Sequence, residues 1–404
     1  MNSTVAVLRC NSYDAAEVRA AVGRGLELLG GLKRYIRADE KIVLKPNLLF
    51  PKELVCTHPA VFEAVAREAL AVTKNVFYGD SSGFGPVAMN TALCGYKKIA
   101  DELGLTLADF DNGAMVAHPK ALLARQIMIA NAVINGDGLI NIAKFKSHNL
   151  TRFTGAIKNT YGCVPGFYKG QYHALYSSVD EFCKVVVDIA SYVKPRLHIL
   201  DGITAMEGNG PQSGTPRQLN VLLFSTDPVA LDVTACRMIG LDPSFVPTIP
   251  AAQTVGLGNA DPCSITLVGD NVEQFFCPSF KVIRTKPASM PDSLILQSIR
   301  RMVSTRPQII KSKCTRCGRC IESCPVVPKA INWPGARAVH VPVYDYQKCI
   351  RCYCCNEMCP GKAIVVRTPL LGRILPFVYY LALKLTRLHI KKYDSKNQRT
   401  TGLY

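Results

Sequence analysis

Nine of the seventeen cysteines in this 404-residue chain fall between positions 314 and 359, and their spacing leaves few folds open to that part of the molecule. Residues 314–325 and 349–360 both follow the pattern C-x2-C-x2-C-x3-C-P. In each run the first three thiols share one tight loop, whereas the fourth begins the next segment and the proline after it turns the chain away. The rear of the chain is therefore built around two equivalent sets of thiols.

This spacing is that of bacterial two-cluster ferredoxins, in which the fourth cysteine of each run ligates the cluster of the other run. We therefore predict two 4Fe–4S clusters with crossed ligation. The first cluster has the ligands Cys314, Cys317, Cys320 and Cys359, and the second has the ligands Cys349, Cys352, Cys355 and Cys324. Cys354 is left over, either as a small apolar residue beside a cluster or as a group that modulates or repairs it.

Two other interpretations of the cysteines fit less well. Zinc sites usually pair two C-x2-C knuckles across a longer gap, whereas here three cysteines run in tandem twice. Disulfides suit exported proteins, and residues 1–10 have the pattern of a first strand rather than of an export signal. We therefore expect a reducing, cytoplasmic compartment.

Charge divides the chain near the same place as the cysteines. Residues 1–280 carry 25 basic and 25 acidic side chains, whereas residues 281–404 carry 23 and 5. Such a basic rear suggests an acidic partner or an anionic surface, although solubility alone would also explain it. We expect a redox partner protein or a small anionic substrate, and no nucleic acid.

The front of the chain alternates between short β-rich runs and helical patterns, which predicts an α/β domain with a mostly parallel sheet. Apolar residues at helical spacing predict helices within residues 14–30, 60–72, 180–193 and 227–240. The predicted strands are residues 4–10, 41–47, 75–80, 105–110, 138–144, 197–203, 220–226 and 264–270.

Polar residues gather where these strands end, which is where α/β sheets bind their ligands. A lysine is a point charge for a carboxylate or phosphate, and a histidine can donate a proton. The candidates for substrate binding are Lys45, Asn47, His58, Asp80, Ser81, Ser82, Asn159 and Glu207. The candidates for catalysis are Lys144, Lys146, His148, Lys158 and His173.

Some of these motifs have simpler structural explanations. Asp227 before Pro228 is typical of a helix N-cap, and His58 directly before a helix is more simply structural. Residues 83–88 match the dinucleotide pattern G-x-G-x-x-A, but three polar residues separate the strand from the glycines, and Pro86 lies where the helix should already run. We therefore assign no nucleotide or flavin site.

Taken together, the front motifs resemble the family called domain of unknown function 362, over residues 5–275. They are KPN, THP, GDSSG, KFKSHNLTRFTGAIKNTYG, DGITAMEGNGPQSGTP and STDPVALD. Members are often fused to a two-cluster ferredoxin module, which residues 308–367 resemble closely. The resemblance implies a Rossmann-like α/β domain at 1–280, a basic linker at 281–307 and a small α+β ferredoxin-like domain, with no settled activity.

Residues 368–404 form a basic amphipathic C-terminal tail in this interpretation. They contain an apolar run, 374–383, with Lys and Arg at both margins. The run is too short to span a bilayer, but its pattern suits a helix in a membrane interface. Packing against the front domain and dimerisation remain alternatives. The expected location is cytoplasmic or peripheral on the inner face of a membrane.

Three functions fit these features. In the first, an iron–sulfur redox protein passes single electrons from its clusters to a small anionic substrate or cofactor on the front domain, as a ferredoxin-linked oxidoreductase would. In the second, the protein is a ferredoxin-like electron carrier that docks to a protein partner at the membrane surface. In the third, the front domain performs non-redox chemistry and the clusters are structural.

Overall fold

A computed structural model describes residues 2–52, 54–83, 85–287, 305–336 and 339–370. Most of the predicted linker at 281–307 and nearly all of the predicted tail at 368–404 lie outside these ranges. Among the described residues, none of the helices combines the length and the apolar character that crossing a bilayer requires.

A nine-stranded sheet forms the centre of the front domain. Its strands are β1 (Ser3–Arg9), β2 (Ile42–Pro46), β3 (Val76–Tyr78), β4 (Thr106–Leu107), β7 (Gly138–His148), β8 (Arg152–Thr154), β9 (Leu197–Glu207), β10 (Thr215–Ser225) and β11 (Ile265–Gly269). Eight of them follow the order β11-β1-β10-β9-β7-β2-β3-β4, and β8 pairs with β7. Pairing is parallel except for β10 and β8, so the mostly parallel sheet is confirmed.

Helices cover both faces of this sheet, and a separate hairpin, β5 (Gly113–Ala117) with β6 (Gln126–Ala130), lies beside it. The helices are α1 (Ala15–Leu28), α2 (Pro59–Leu70), α3 (Val87–Leu93), α4 (Tyr96–Leu103), α5 (Asn131–Ile134), α6 (Ala156–Asn159), α7 (Gly166–Leu175), α8 (Val179–Val193), α9 (Pro228–Met238) and α10 (Thr248–Thr254).

Alternation along the strands creates two hydrophobic cores. In β1, Val5 and Val7 join the core beneath α8 and α9, whereas Ala6 and Leu8 join the core beneath α1 and α2. Side chains of a strand point to opposite faces in turn, so one strand serves both layers. The predicted α/β class is therefore confirmed.

The helix termini follow the sequence closely. Asp227 accepts hydrogen bonds from the N–H groups of Val229 and Ala230, with Pro228 as the first helical residue of α9. The predicted N-cap is therefore confirmed. Asp14 caps α1 in the same way, and such caps typically contribute about 1 kcal/mol each.

The C-terminal module is small and combines short strands with short helices, as predicted. It contains two antiparallel pairs, β12 (Arg306–Ile309) with β15 (Ile364–Arg367) and β13 (Ile331–Asn332) with β14 (Val343–Tyr344). Its helices are α11 (Arg319–Glu322) and α12 (Cys354–Glu357). The module packs over the carboxyl ends of the strands: Lys52 Nζ donates to the carbonyl of Pro360 at 3.1 Å.

A buried ion pair joins the two central strands β7 and β9. The Nζ atom of Lys144 lies 2.8 Å from Oδ2 of Asp201, and both side chains are at most 1% exposed. Tyr13 O–H donates to the other carboxylate oxygen, and the backbone N–H of His58 donates to Oδ2. Both groups are shielded from water, so removing either one would leave an uncompensated buried charge.

We expect Asp201→Asn to destabilise the fold by about 3–5 kcal/mol, because it leaves the Lys144 ammonium buried without its carboxylate. The double variant Lys144→Met/Asp201→Asn should recover part of that loss. The measurement is the apparent free energy of unfolding in urea, followed by circular dichroism. A double variant as unstable as the sum of both single variants would contradict this structural role.

Candidate functional site

A cavity of about 620 Å³ lies between the carboxyl edge of the sheet and the C-terminal module. Its size falls within the usual range for small-molecule sites. Nine residues predicted from the sequence line it: Asn47, Asp80, Ser81, Ser82, Lys146, His148, Lys158, Asn159 and His173. Four of these residues follow β2 or β3, and Lys146 and His148 lie at the carboxyl end of β7, which is where an α/β sheet is expected to bind a ligand. Lys158, Asn159 and His173 lie on α6 and α7.

The structure places four other predicted site residues away from this cavity. Lys144 is held by Asp201, and Lys45 forms a buried ion pair with Asp80 at 2.8 Å. His58 caps α2 through Nδ1 and stacks on the ring of Tyr13, with ring centres 3.6 Å apart.

Glu207 is the fourth of these residues, and it accepts a hydrogen bond from the backbone N–H of Lys281 at 2.9 Å. All four side chains make structural contacts where they lie.

Both cavity histidines are held in their neutral form. His148 Nδ1 accepts from the N–H groups of Leu150 and Thr151, so its proton lies on Nε2, 3.4 Å from Oε1 of Glu357. Burial, followed by the charge of Lys158, lowers the pKa of His148 well below its usual value. The same two causes lower the pKa of His173 to about 3.

Lys146 is fully buried and bound by neutral oxygens. Its Nζ donates to Asn47 Oδ1 at 2.6 Å and to the carbonyl of Val55 at 2.8 Å. Burial without an adjacent carboxylate lowers its pKa to about 7. Asn47 in turn donates to Asn159, and Asn159 donates to Asn141, so a chain of amides fixes the position of Lys146.

Lys169 is a cavity residue that the sequence reasoning missed. Its Nζ donates to the carbonyls of Ser81 and Ser82 and holds the turn after β3 in place. Burial lowers its pKa to about 8. A lone lysine on α7 gave no signal in the sequence, because nothing there shows that the helix folds back over this turn.

Lys158 differs from the other cavity lysines. Within the described ranges its Nζ has neither an ion pair nor a hydrogen bond; it lies 4.4 Å from the ring centre of Tyr161. Burial is the main cause that lowers its pKa. Among the described residues, two buried hydroxyl oxygens on the cavity wall, Ser82 Oγ and Thr154 Oγ1, also lack hydrogen bonds, as does the carboxylate oxygen Oε1 of Glu357. One cation, two hydroxyl groups and one carboxylate oxygen therefore line the same cavity.

The C-terminal module completes the cavity wall, which the sequence did not indicate. It contributes Cys324, Cys354, Glu357 and Met358. Burial raises the pKa of Glu357 to about 6, against the opposing effect of Lys158 and Lys146. The cysteine left over from the predicted cluster ligands, Cys354, thus lies on the cavity wall.

The eight predicted ligand cysteines surround two further, smaller cavities. Cys314, Cys317, Cys320 and Cys359 line the first cysteine cavity, and Cys324, Cys349, Cys352 and Cys355 line the second cysteine cavity. The fourth cysteine of each run thus lies with the three of the other run. Within the described ranges, no group of three or more His, Cys, Asp or Glu side chains is arranged to hold a single metal ion.

Donor groups around these cysteines suit thiolate ligands. Tyr344 O–H donates to Cys355 Sγ at 3.2 Å, and the backbone N–H of Ala363 donates to Cys359 Sγ at 3.2 Å. Hydrogen bonds to the sulfurs are among the features that adjust a cluster's reduction potential. The donor set and its arrangement therefore fit one 4Fe–4S cluster in each cysteine cavity.

Comparison with known proteins gives three results. The family model "Domain of unknown function (DUF362)" matches residues 42–237, and the model "4Fe-4S dicluster domain" matches residues 306–360. The thylakoid-associated protein sll1697 of Synechocystis sp. is 33% identical over 261 residues, which are 64% of this chain and 81% of that protein.

Among solved structures, the lactate racemase apoprotein of Thermoanaerobacterium thermosaccharolyticum is similar, with a TM-score of 0.38 and 11% identity. The match covers 59% of this chain and 56% of that one. The family and domain matches agree with the two-part architecture and with an iron–sulfur module at the cysteines. The chain belongs to the DUF362 family, with a 4Fe–4S ferredoxin-type domain joined to its C-terminal side.

Proposed function

We propose that this protein carries two 4Fe–4S clusters and exchanges single electrons with a small anionic substrate or cofactor bound in the cavity between its two domains. The observation that carries the proposal is the composition of the cavity wall. One side presents Lys158 without an anion, and the other side includes Cys324, which also lines the second cysteine cavity. An anion held by Lys158 would therefore lie in the same cavity as a cluster ligand.

The anion-binding side is inferred from groups that lack partners. A buried hydroxyl without a hydrogen bond costs free energy, and so does a half-buried cation such as Lys158 without an anion. Ser82 Oγ, Thr154 Oγ1 and Lys158 Nζ would all be satisfied by one oxyanion, such as a carboxylate or a phosphate. The same cavity also contains carboxylates: Asp80 is paired with Lys45 at 2.8 Å, and Oε1 of Glu357 lies 3.4 Å from Nε2 of neutral His148 without a hydrogen bond. The anion is therefore assigned to the side of Lys158, Ser82 and Thr154.

When bound, the clusters supply electrons one at a time. The residues of this chain supply the remaining requirements: binding, exclusion of water and a proton. Lys146 is the best placed proton donor, because its pKa of about 7 is close to neutral pH. His148 and His173 are neutral at that pH and are weaker acids in this role.

Membrane contact is a further part of the proposal. The relative from Synechocystis sp. is named for its association with the thylakoid. In this chain the basic tail, residues 368–404, has the composition of an interfacial segment. We propose that the tail brings the protein to an anionic membrane surface, where the redox partner is found.

Anaerobically purified protein should contain about eight irons per chain. Cys352→Ser should lose about half of the iron, because it removes a ligand of one cluster only. The matched variant Cys354→Ser should keep all of it, since Cys354 lies on the large cavity. Iron analysis and visible absorption measure the iron content of both variants. An equal loss of iron in the two variants, or zinc in place of iron, would rule out the ligand assignment.

Lys158→Met should weaken the binding of an anionic electron acceptor in the large cavity. Protein reduced with dithionite is mixed with a panel of carboxylates, phosphates and quinones, and reoxidation is followed by absorption. We expect the apparent affinity of the active acceptor to fall about tenfold to a hundredfold, because a charged hydrogen bond is worth about 1.5–3 kcal/mol. Ser82→Ala and Thr154→Val should have smaller effects in the same direction.

The control is Lys184→Met, which changes an exposed lysine on α8 outside the cavity. It should leave the reoxidation unchanged. If reduced protein kept its electrons with every acceptor in the panel, the oxidoreductase proposal would fail. If Lys158→Met behaved like Lys184→Met with an active acceptor, the anion site would lie elsewhere.

The reoxidation rate should depend on the protonation of Lys146. With a pKa of about 7, Lys146 carries its proton below pH 7 and loses it above. We therefore expect the rate with a proton-consuming acceptor to fall as the pH rises through about 7. Lys146→Arg keeps the charge without a transferable proton, so its profile should be slow and flat. The same inflection in that variant would exclude Lys146 as the donor.

A further inference from the structure

The two cysteine cavities have different surroundings. The second shares Cys324 and Pro325 with the large cavity. The first is bordered by the loop 311–318, in which Thr315 and Arg316 are exposed and form part of its wall. In the proposed function, electrons pass from the second cysteine cavity to the large cavity, so they enter the module at another place. The exposed loop 311–318 borders the first cysteine cavity and is therefore the candidate entry point.

Charge around the first cysteine cavity has a single sign. The described part of the module, 305–336 and 339–370, carries ten Lys and Arg but only three Asp and Glu. Glu322 and Glu357 line the large cavity, and Asp345 pairs with Lys348 at 2.8 Å. No carboxylate is among the described residues that line the first cysteine cavity.

The exposed cations on this side form what we call the basic face, consisting of Lys311, Lys313, Arg316 and Lys362. Lys311 and Lys313 form a short turn directly before Cys314 and have no ion pair among the described residues. Lys362 follows Cys359 and is also exposed. Its charge is the second cause, after burial, that lowers the pKa of nearby Lys52.

We propose that the basic face is the docking site of a small acidic electron carrier protein, which delivers one electron at each encounter. The carrier loses one electron, the iron–sulfur module gains one, and no bond is made or broken. This inference rests on the proposed electron-transfer function and adds to it the entry side and the class of partner. Opposite charge speeds such encounters and orients them.

A membrane surface is the other anionic partner that this charge would attract. The position of the charge favours the carrier, because the basic residues border the cysteines of one cavity. A lipid surface needs cations but no redox group beside them. Binding to anionic vesicles in place of the carrier is therefore an outcome that would overturn the proposal.

The test uses the anaerobic holoprotein and an acidic [2Fe–2S] ferredoxin, with their Kd measured by calorimetry. Lys311→Glu/Lys313→Glu should weaken binding at least about tenfold at low salt, since like charges then meet. The matched variant Lys74→Glu/Lys120→Glu makes the same charge change on the front domain at exposed positions and should bind normally. High salt should weaken ferredoxin binding most in the unaltered protein, because salt shortens the range of charge interactions.

A second electron-transfer partner tests whether the effect of the charge reversal depends on the sign of the partner's charge. The rate of electron transfer to cytochrome c, which is basic, should rise in Lys311→Glu/Lys313→Glu, whereas the rate from the ferredoxin should fall. Reduction by dithionite and the iron content should not change. Equal Kd values for the two double variants, or a fall in both rates, would overturn the proposal. Binding to anionic lipid vesicles that is lost in Lys311→Glu/Lys313→Glu, with ferredoxin binding unchanged in that variant, would overturn it as well.

The outcome separates this inference from the proposed function. Lys158→Met lies in the large cavity and should leave the Kd for ferredoxin unchanged. If charge reversal alters ferredoxin binding as expected but no acceptor reoxidises the protein, the substrate proposal fails and the docking face stands. If an acceptor works and charge reversal has no effect, the docking face fails alone.

Discussion

The burial of positive charge is the constraint on which the rest of this structure depends. Lys45, Lys144 and Lys146 are all buried in the front domain. Removing a cation from water costs several kcal/mol unless nearby groups compensate. Asp80 forms an ion pair with Lys45, and Asp201 forms one with Lys144. Lys146 donates hydrogen bonds to two neutral oxygens, and its own pKa is lowered.

Lys158 is half-buried, and within the described ranges its Nζ has neither an ion pair nor a hydrogen bond, from which we infer a ligand. It lines the cavity with two hydroxyl groups that also lack partners. In most native structures such groups are paired, and each exception calls for a physical explanation. An oxyanion would satisfy all three at once, which is why the cavity is interpreted as a substrate site and not as a packing defect.

The second constraint comes from the cysteines. In each run the fourth cysteine lies with the first three of the other run, so the two halves of the module are held together by the same groups that suit cluster ligation. Cys324 belongs to the second set and also borders the large cavity. Cys324 and Pro325 therefore border both the second cysteine cavity and the cavity in which we propose the anion site, while the first cysteine cavity borders the basic face.

Much of this arrangement could be predicted from the sequence, because it depends on local patterns. Short β-rich runs located eight of the nine strands of the sheet, and the Asp-Pro pair located the start of α9. The position of polar residues near strand ends identified nine of the residues on the cavity wall. The hairpin β5–β6 and the strand β8 were missed: β5 is mostly exposed, β6 is buried at four of its five residues, and β8 has only three residues.

Other features depend on tertiary contacts that no local pattern reveals. Lys144 and Lys146 are two residues apart on one strand, yet one is neutralised by a carboxylate from β9 and the other borders the cavity. Glu357 and Cys354 belong to the cavity only because the C-terminal module docks over the sheet edge. No local pattern indicates which face of that module meets the front domain.

The most direct test of the account is anomalous diffraction at the iron edge from crystals grown without oxygen. We predict two four-iron peaks per chain, one enclosed by Cys324, Cys349, Cys352 and Cys355 at the border of the large cavity, and the other enclosed by Cys314, Cys317, Cys320 and Cys359. A cavity border without iron, or a module docked with its other face toward the sheet, would contradict the account.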